Sequence, residues 1–108
     1  MDKRLELHET LCGIINITES DGDRHTYFQP PASVHMKYPA IRYSLRGYEK
    51  VHAGNGAYRL LPSYEVTLID KNPASDYFSK IMQLPYCRFD RPYVADNLNH
   101  FVFTIFTI

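Results

Sequence analysis

The residues with the best claim to chemistry lie near the end of the chain: Cys87, Asp90, Asp96 and His100. A thiol, two carboxylates and an imidazole are the parts of a small hydrolase, with Asp96 and His100 activating water or a nucleophile and Cys87 or a metal assisting. The spacing argues against that use. Asp96 leads through Asn97-Leu98-Asn99 to His100, which reads as a turn entering a strand, where such side chains cap backbone groups. His25, His35, His52 and His100 are scattered, with no HExxH, and Cys12 and Cys87 form no CxxC, so no metal-ligand spacing occurs. Gly54-Asn55-Gly56 is followed by no helix start and matches no phosphate-cradling motif. No cofactor is expected, and both thiols are expected to be buried and reduced.

The run Arg88-Phe89-Asp90-Arg91-Pro92 supports two readings. Asp90 pairs with a neighbouring arginine while Phe89 anchors the segment, or Arg88 and Arg91 reach carboxylates of another subunit through their bidentate forks. The two are compatible. A second basic strip, Arg42, Arg46 and Lys50, reads as a solvated strand face.

Twelve basic and twelve acidic side chains give zero formal net charge. That removes the main electrostatic argument for nucleic-acid binding and leaves little charge repulsion against self-association. Nine Tyr and six Phe with no Trp suit strands and interfaces, since tyrosine joins an apolar face to a polar tip. Met1-Asp2-Lys3-Arg4 opens a charged amphipathic stretch, unlike a signal peptide, and no apolar run is long enough to cross a bilayer.

The elements follow from periodicity. Residues 2–17 predict a helix burying Leu5, Leu11, Cys12 and Ile15 beside His8, with a polar turn at 18–23. A short strand at 26–29 stops at Pro30-Pro31. Ile41, Tyr43 and Leu45 alternate with Arg42, Ser44 and Arg46 as a strand, and Gly47 to Ala57 reads as a long loop or hairpin tip. Tyr64, Val66 and Leu68 form the inward face of a strand that Pro62 interrupts. Asn72 caps a helix with Pro73 at its first position, and Tyr77, Phe78, Ile81 and Met82 recur at helical spacing until Pro85. Residues 84–100 read as polar and turn-rich. In the final strand Phe101, Phe103 and Ile105 face one way and Val102, Phe106 and Ile108 the other, so both faces need cover, plausibly from a second subunit. The expected class is α+β, an antiparallel sheet packed by two helices in a single domain spanning 1–108.

Several runs in order carry a resemblance: Tyr27-Phe28-Gln29-Pro30-Pro31, Tyr38-Pro39-Ala40-Ile41-Arg42-Tyr43, Tyr64-Glu65-Val66-Thr67-Leu68-Ile69-Asp70 with Asn72-Pro73-Ala74-Ser75, and Cys87-Arg88-Phe89-Asp90-Arg91 with Asp96-Asn97-Leu98-Asn99-His100. From Tyr27 onward the chain resembles the tail terminator, tail completion or head–tail joining proteins of long-tailed bacteriophages. The resemblance implies a non-enzymatic α+β subunit of a ring, usually hexameric, at the head-proximal end of the tail tube in the virion. Its partners would be further copies, the tail tube protein and the head–tail connector, with DNA passing unbound through the lumen. The terminator and an adjacent connector ring stay open as alternatives. The subunit and partner contacts are expected at Arg46, Tyr48, Arg88, Arg91, Tyr93, Phe101, Phe103 and Phe106, with the 47–57 loop meeting tube or connector. One departure stands out: a DNA-conducting lumen favours acidic residues, and no acidic cluster occurs, leaving Glu65 and Thr67 as the lumen candidates.

Overall fold

A computed structural model describes residues 3–31, 35–52, 54, 56 and 58–107. Asp2, Asn55, Ala57 and Ile108, each part of an expectation above, lie outside the described residues. The elements in order are α1 (Lys3–Ile15), β1 (Thr26–Phe28), β2 (Ala40–His52), β3 (Tyr58–Asp70), α2 (Asp76–Met82), β4 (Cys87–Ala95) and β5 (Leu98–Phe106). They build one sheet in the order β1-β2-β3-β5-β4. β1 runs parallel to β2, and every other neighbour is antiparallel. The α+β class stands, with two strands rather than one after α2.

Both helices lie on one face of the sheet, and the core between has two halves. Under α1, Leu7, Leu11 and Ile15 meet Ile41, Tyr43, Tyr64, Val66 and Leu68. Under α2, Phe78 touches Phe89, Phe101 and Phe103 at ring separations of 5.1–5.4 Å, mostly edge to face, the arrangement their quadrupoles favour. The alternation read at 41–43 and 64–68 therefore holds. In α1 the buried residue is Leu7, and Leu5 is exposed. Leu7 lines up with Leu11 and Ile15 at intervals of four on the buried face, and the same orientation brings His8 to the sheet, where its Nδ1 meets the Tyr43 hydroxyl at 2.6 Å. Burial, then the nearby Arg4 guanidinium, lowers the His8 pKa, so neutral imidazole accepts the Tyr43 proton. Arg4 donates to the same oxygen at 3.2 Å.

Three local expectations change. The second helix is capped by Ser75, whose hydroxyl accepts from the Tyr77 N–H at 3.3 Å. Asn72 instead closes a turn by accepting from Ala74 N–H at 2.9 Å. Its side chain satisfies the loop before the helix, as Asx side chains do. Second, residues 87–95 are a strand, not a loop. Pro92 and a bulge at Asp90 disguised it, and both are tolerated because β4 is the sheet's edge. Third, Asp96 and Asn97, with φ of 53° and 61°, form the two-residue turn joining β4 to β5. Both residues in the left-handed region is the hairpin geometry that matches strand twist.

Candidate interaction surface

Gly47 to Ala57 is largely not a loop. β2 continues to His52 and β3 begins at Tyr58, paired residue by residue from Tyr48↔Pro62 to His52↔Tyr58. The β3–β5 ladder, however, ends at Ser63↔Phe106. Beyond it, residues 58–61 have only β2 beside them among the described residues, and the two strands project as an arm with the 45–47 segment of β2 at its base. At the rise of a strand that stretch adds about 13 Å to a molecule whose long axis is 50 Å.

Pro62 does not interrupt β3. Thr107 N–H donates to the Pro62 carbonyl at 3.0 Å, so the backbone groups of Pro62 point away from β2. The proline lacks an N–H that the β2 ladder never uses.

A bulge sets which side chains the arm shows. Leu45 opposes Tyr64 and Gly47 opposes Ser63, leaving Arg46 unopposed. One extra residue flips every later side chain of the strand. It therefore places Tyr48, opposite Pro62, on the helix side of the sheet. Leu45 at the base of the arm, with Tyr48 and Leu60, puts exposed apolar side chains on that side, at 40%, 60% and 55%, beside Lys50, which opposes Leu60. A two-stranded ribbon with such a face is marginal alone in water, and exposed contiguous apolar surface marks contact sites.

The second surface is the β4 edge. Arg88, Asp90, Arg91, Tyr93 and Val94 are all exposed. Asp90 is the hub: it accepts from Thr104 Oγ1 at 2.5 Å and from Arg88 Nε at 3.0 Å. Partial burial alone would push its pKa up, but the Thr104 hydroxyl, Arg88 and the more distant Arg46 hold it below the usual carboxylate range. Both sequence readings of this run find room, because Asp90 engages Arg88 while Arg91 stays at the surface. The Arg91 guanidinium lies 5.9 Å from the Tyr93 ring centre, and Tyr93 stacks on His100 at 4.5 Å.

The expected contact residues therefore separate. Arg46 and Tyr48 sit on the arm, and Arg88, Arg91 and Tyr93 on the β4 edge. Phe106 is half-buried at the sheet's lower end. Phe103 is fully buried and Phe101 half-buried against Phe78, so these two serve the subunit's own core. The far side of β5 carries Val102, Thr104 and Phe106, and Thr104 with Asp90 makes that side partly polar. Glu65 and Thr67 share this outer face, Thr67 buried. Sequence reasoning passed over Leu60, Tyr86 and Val94, and set Leu45 with Ile41 and Tyr43 without showing that it is exposed. Only Leu60-Leu61-Pro62, where alternation breaks, carried a readable signal.

The hydrolase residues do not form a working set. Asp96 occupies the hairpin turn, and His100 is buried, its Nδ1 on the Leu98 carbonyl at 3.0 Å. Burial, aided by Asp90, pushes the Cys87 thiol up to about 11, where it stays protonated at neutral pH and is a poor nucleophile. Among the described residues no three His, Cys, Asp or Glu side chains converge as metal ligands, and no helix is long and apolar enough to cross a membrane. No family model matches the chain, and neither a curated protein nor a solved structure does.

Proposed function

We propose that this chain is a non-enzymatic structural subunit of a long-tailed bacteriophage, assembling as a ring at the head-proximal end of the tail tube. There it ends tube growth and joins the tail to the head connector, with DNA passing through the lumen. The observation that carries this reading is a pair of unlike exposed patches on separate strands. The arm and its base offer Tyr48 and Leu45, and the β4 edge offers Arg88, Arg91 and Tyr93. A ring needs a heterologous contact, one patch meeting a different one on the next copy. Aromatic and arginine side chains are the types that anchor such contacts, and Tyr48 against Arg91 is a cation–π match. The resemblance to tail terminator proteins supplies the setting and the usual hexameric order.

The test is mass by light scattering, for the protein alone and mixed with the tail tube protein encoded beside it. A discrete ring or a capped short tube is expected. Tyr48→Asp and Arg91→Glu should each weaken assembly by roughly 30-fold or more, the cost of losing an anchor of about 2 kcal/mol. Both positions are exposed, so circular dichroism and melting should change little. A strict monomer under both conditions overturns the ring.

A further inference from the structure

The turn between α1 and β1 ends on a buried imidazole whose two nitrogens are in opposite situations. His25 is 5% exposed, and its Nδ1 lies 2.8 Å from the Pro39 carbonyl. A carbonyl only accepts, so Nδ1 carries a proton, and in the neutral ring Nε2 presents its lone pair. Nε2 is itself buried and has no hydrogen-bond partner. A Glu19 carboxylate oxygen faces it at 3.8 Å. Two acceptors thus oppose each other at a buried position, which is costly unless something positive joins them.

The turn that holds the pair is tied by its own hydrogen bonds. Glu19 N–H donates to the Asp23 carbonyl at 2.8 Å, and Gly22 N–H to the Glu19 carbonyl at 3.0 Å. The other two carboxylates of the turn are engaged. Asp21 holds the Lys37 ammonium at 3.1 Å and accepts from Asp23 N–H at 3.0 Å. Asp23 accepts from the Tyr27 hydroxyl and from His25 N–H, both at 2.8 Å. Arg24 turns away to Glu9 at 3.1 Å. That leaves Glu19, whose side chain is 38% exposed, as the acid in front of Nε2.

Distances choose between a proton and a metal ion. A charge-assisted N–H···O bond closes to about 2.8 Å. A divalent ion held tetrahedrally at about 2.05 Å from each atom sets nitrogen and oxygen about 3.4 Å apart. The observed 3.8 Å is nearer the second, and Glu19, with three rotatable bonds and one side in water, supplies the small closure. The other ring nitrogen fits as well. A histidine that binds metal almost always donates its second N–H to a carbonyl or carboxylate, which fixes the tautomer and aims the ring. We propose that His25 Nε2 and the Glu19 carboxylate bind a divalent transition-metal ion of the zinc type, with water completing its shell.

Two protein ligands hold such an ion less tightly than the three or four of catalytic and structural zinc sites, and the role that fits is a clasp. β1 is three residues long and forms an edge of the sheet. The His25 carbonyl accepts from Ile41 N–H at 2.8 Å, so fixing His25 fixes the start of the β1–β2 pairing to the turn that leaves α1. The site lies at the opposite edge of the sheet from β4, and the inference does not depend on ring formation.

The probe is zinc chloride added to the untagged, isotope-labelled full chain, with magnesium chloride as control. Zinc should shift the His25 ring signals and, at ten times its dissociation constant, raise the melting temperature by about 6 °C. Magnesium, which takes oxygen ligands, should do neither. Glu19→Gln removes a ligand from a partly exposed position, so the fold should stand and zinc affinity should fall about tenfold or more. Asp21→Asn, a neighbouring acid outside the site, should leave affinity within about twofold. His25→Asn suits the left-handed backbone at φ 61° and should abolish the response; if it does not fold, the Glu19 and Asp21 variants decide. Zinc shifts confined to other histidines, unchanged affinity in Glu19→Gln, or an equal loss in Asp21→Asn each overturn the site. Absence of any response to zinc overturns it too, and leaves the gap to a proton.

Discussion

Phe103 and Phe106 are three residues apart on one strand and look equivalent in sequence, yet the fold gives them opposite roles. Phe103 is fully buried and touches Phe78 and Phe89, both at 5.4 Å between ring centres. Phe106 lies half-buried on the other face, at the last pair of the β3–β5 ladder. Truncating a fully buried phenylalanine to alanine costs about 3–5 kcal/mol, from lost transfer energy and the cavity left behind. The upper half of that range applies to Phe103, because its two aromatic pairs each add roughly 0.5–1.5 kcal/mol. Phe106→Ala loses only part of the roughly 1.5–3 kcal/mol of a full burial, about 1 kcal/mol, and leaves no closed cavity. Urea unfolding followed by circular dichroism measures both. Phe103→Ala should lower the midpoint by an amount equivalent to about 4 kcal/mol at an unchanged slope, while Phe106→Ala moves it about a quarter as far. Against the roughly 5–15 kcal/mol available to a domain, the first variant loses a large share of the total stability. Equal losses in the two variants, or a larger one at Phe106, would refute the assignment of faces along β5.

Two further outcomes test local structure. Ser75→Ala should cost about 1 kcal/mol in the same assay, the usual loss of a helix cap, and Asn72→Ala distinctly less; the reverse order would return the helix start to Asn72. His8 has a folded pKa below its ordinary value near 6.5, so the stability it lends is complete above about that pH. It is lost as pH falls through the folded value, because the neutral ring is the one that accepts from Tyr43. His8→Gln should flatten that limb of a stability-versus-pH curve, and an unchanged curve would remove His8 as its source.

Periodicity alone determined much of the chain. Two amphipathic helices, the inward sets Ile41/Tyr43 and Tyr64/Val66/Leu68, and the α+β class follow from spacings of 3.6 and 2, which are properties of neighbouring residues. The site was less legible. Tyr48 and Arg46 were readable as surface residues, but not that they ride on a projecting arm rather than a loop. That depends on β5 ending opposite Ser63, some forty positions away in the chain. β4 was hidden because Pro92 and Asp90 are breakers in a central strand and acceptable at an edge, and being an edge is a property of the sheet order. Leu7 replaced Leu5 because α1 packs on the sheet through Leu7, Leu11 and Ile15, a face set by what the sheet presents. Phe103 and Phe106 took opposite roles because Phe78 arrives over only one face of β5. The sequence alone determined which segments are helix or strand, since local spacing encodes that. The edges, the arm and the cap were decided by hydrogen-bond partners and packing contacts that exist only once distant segments have met.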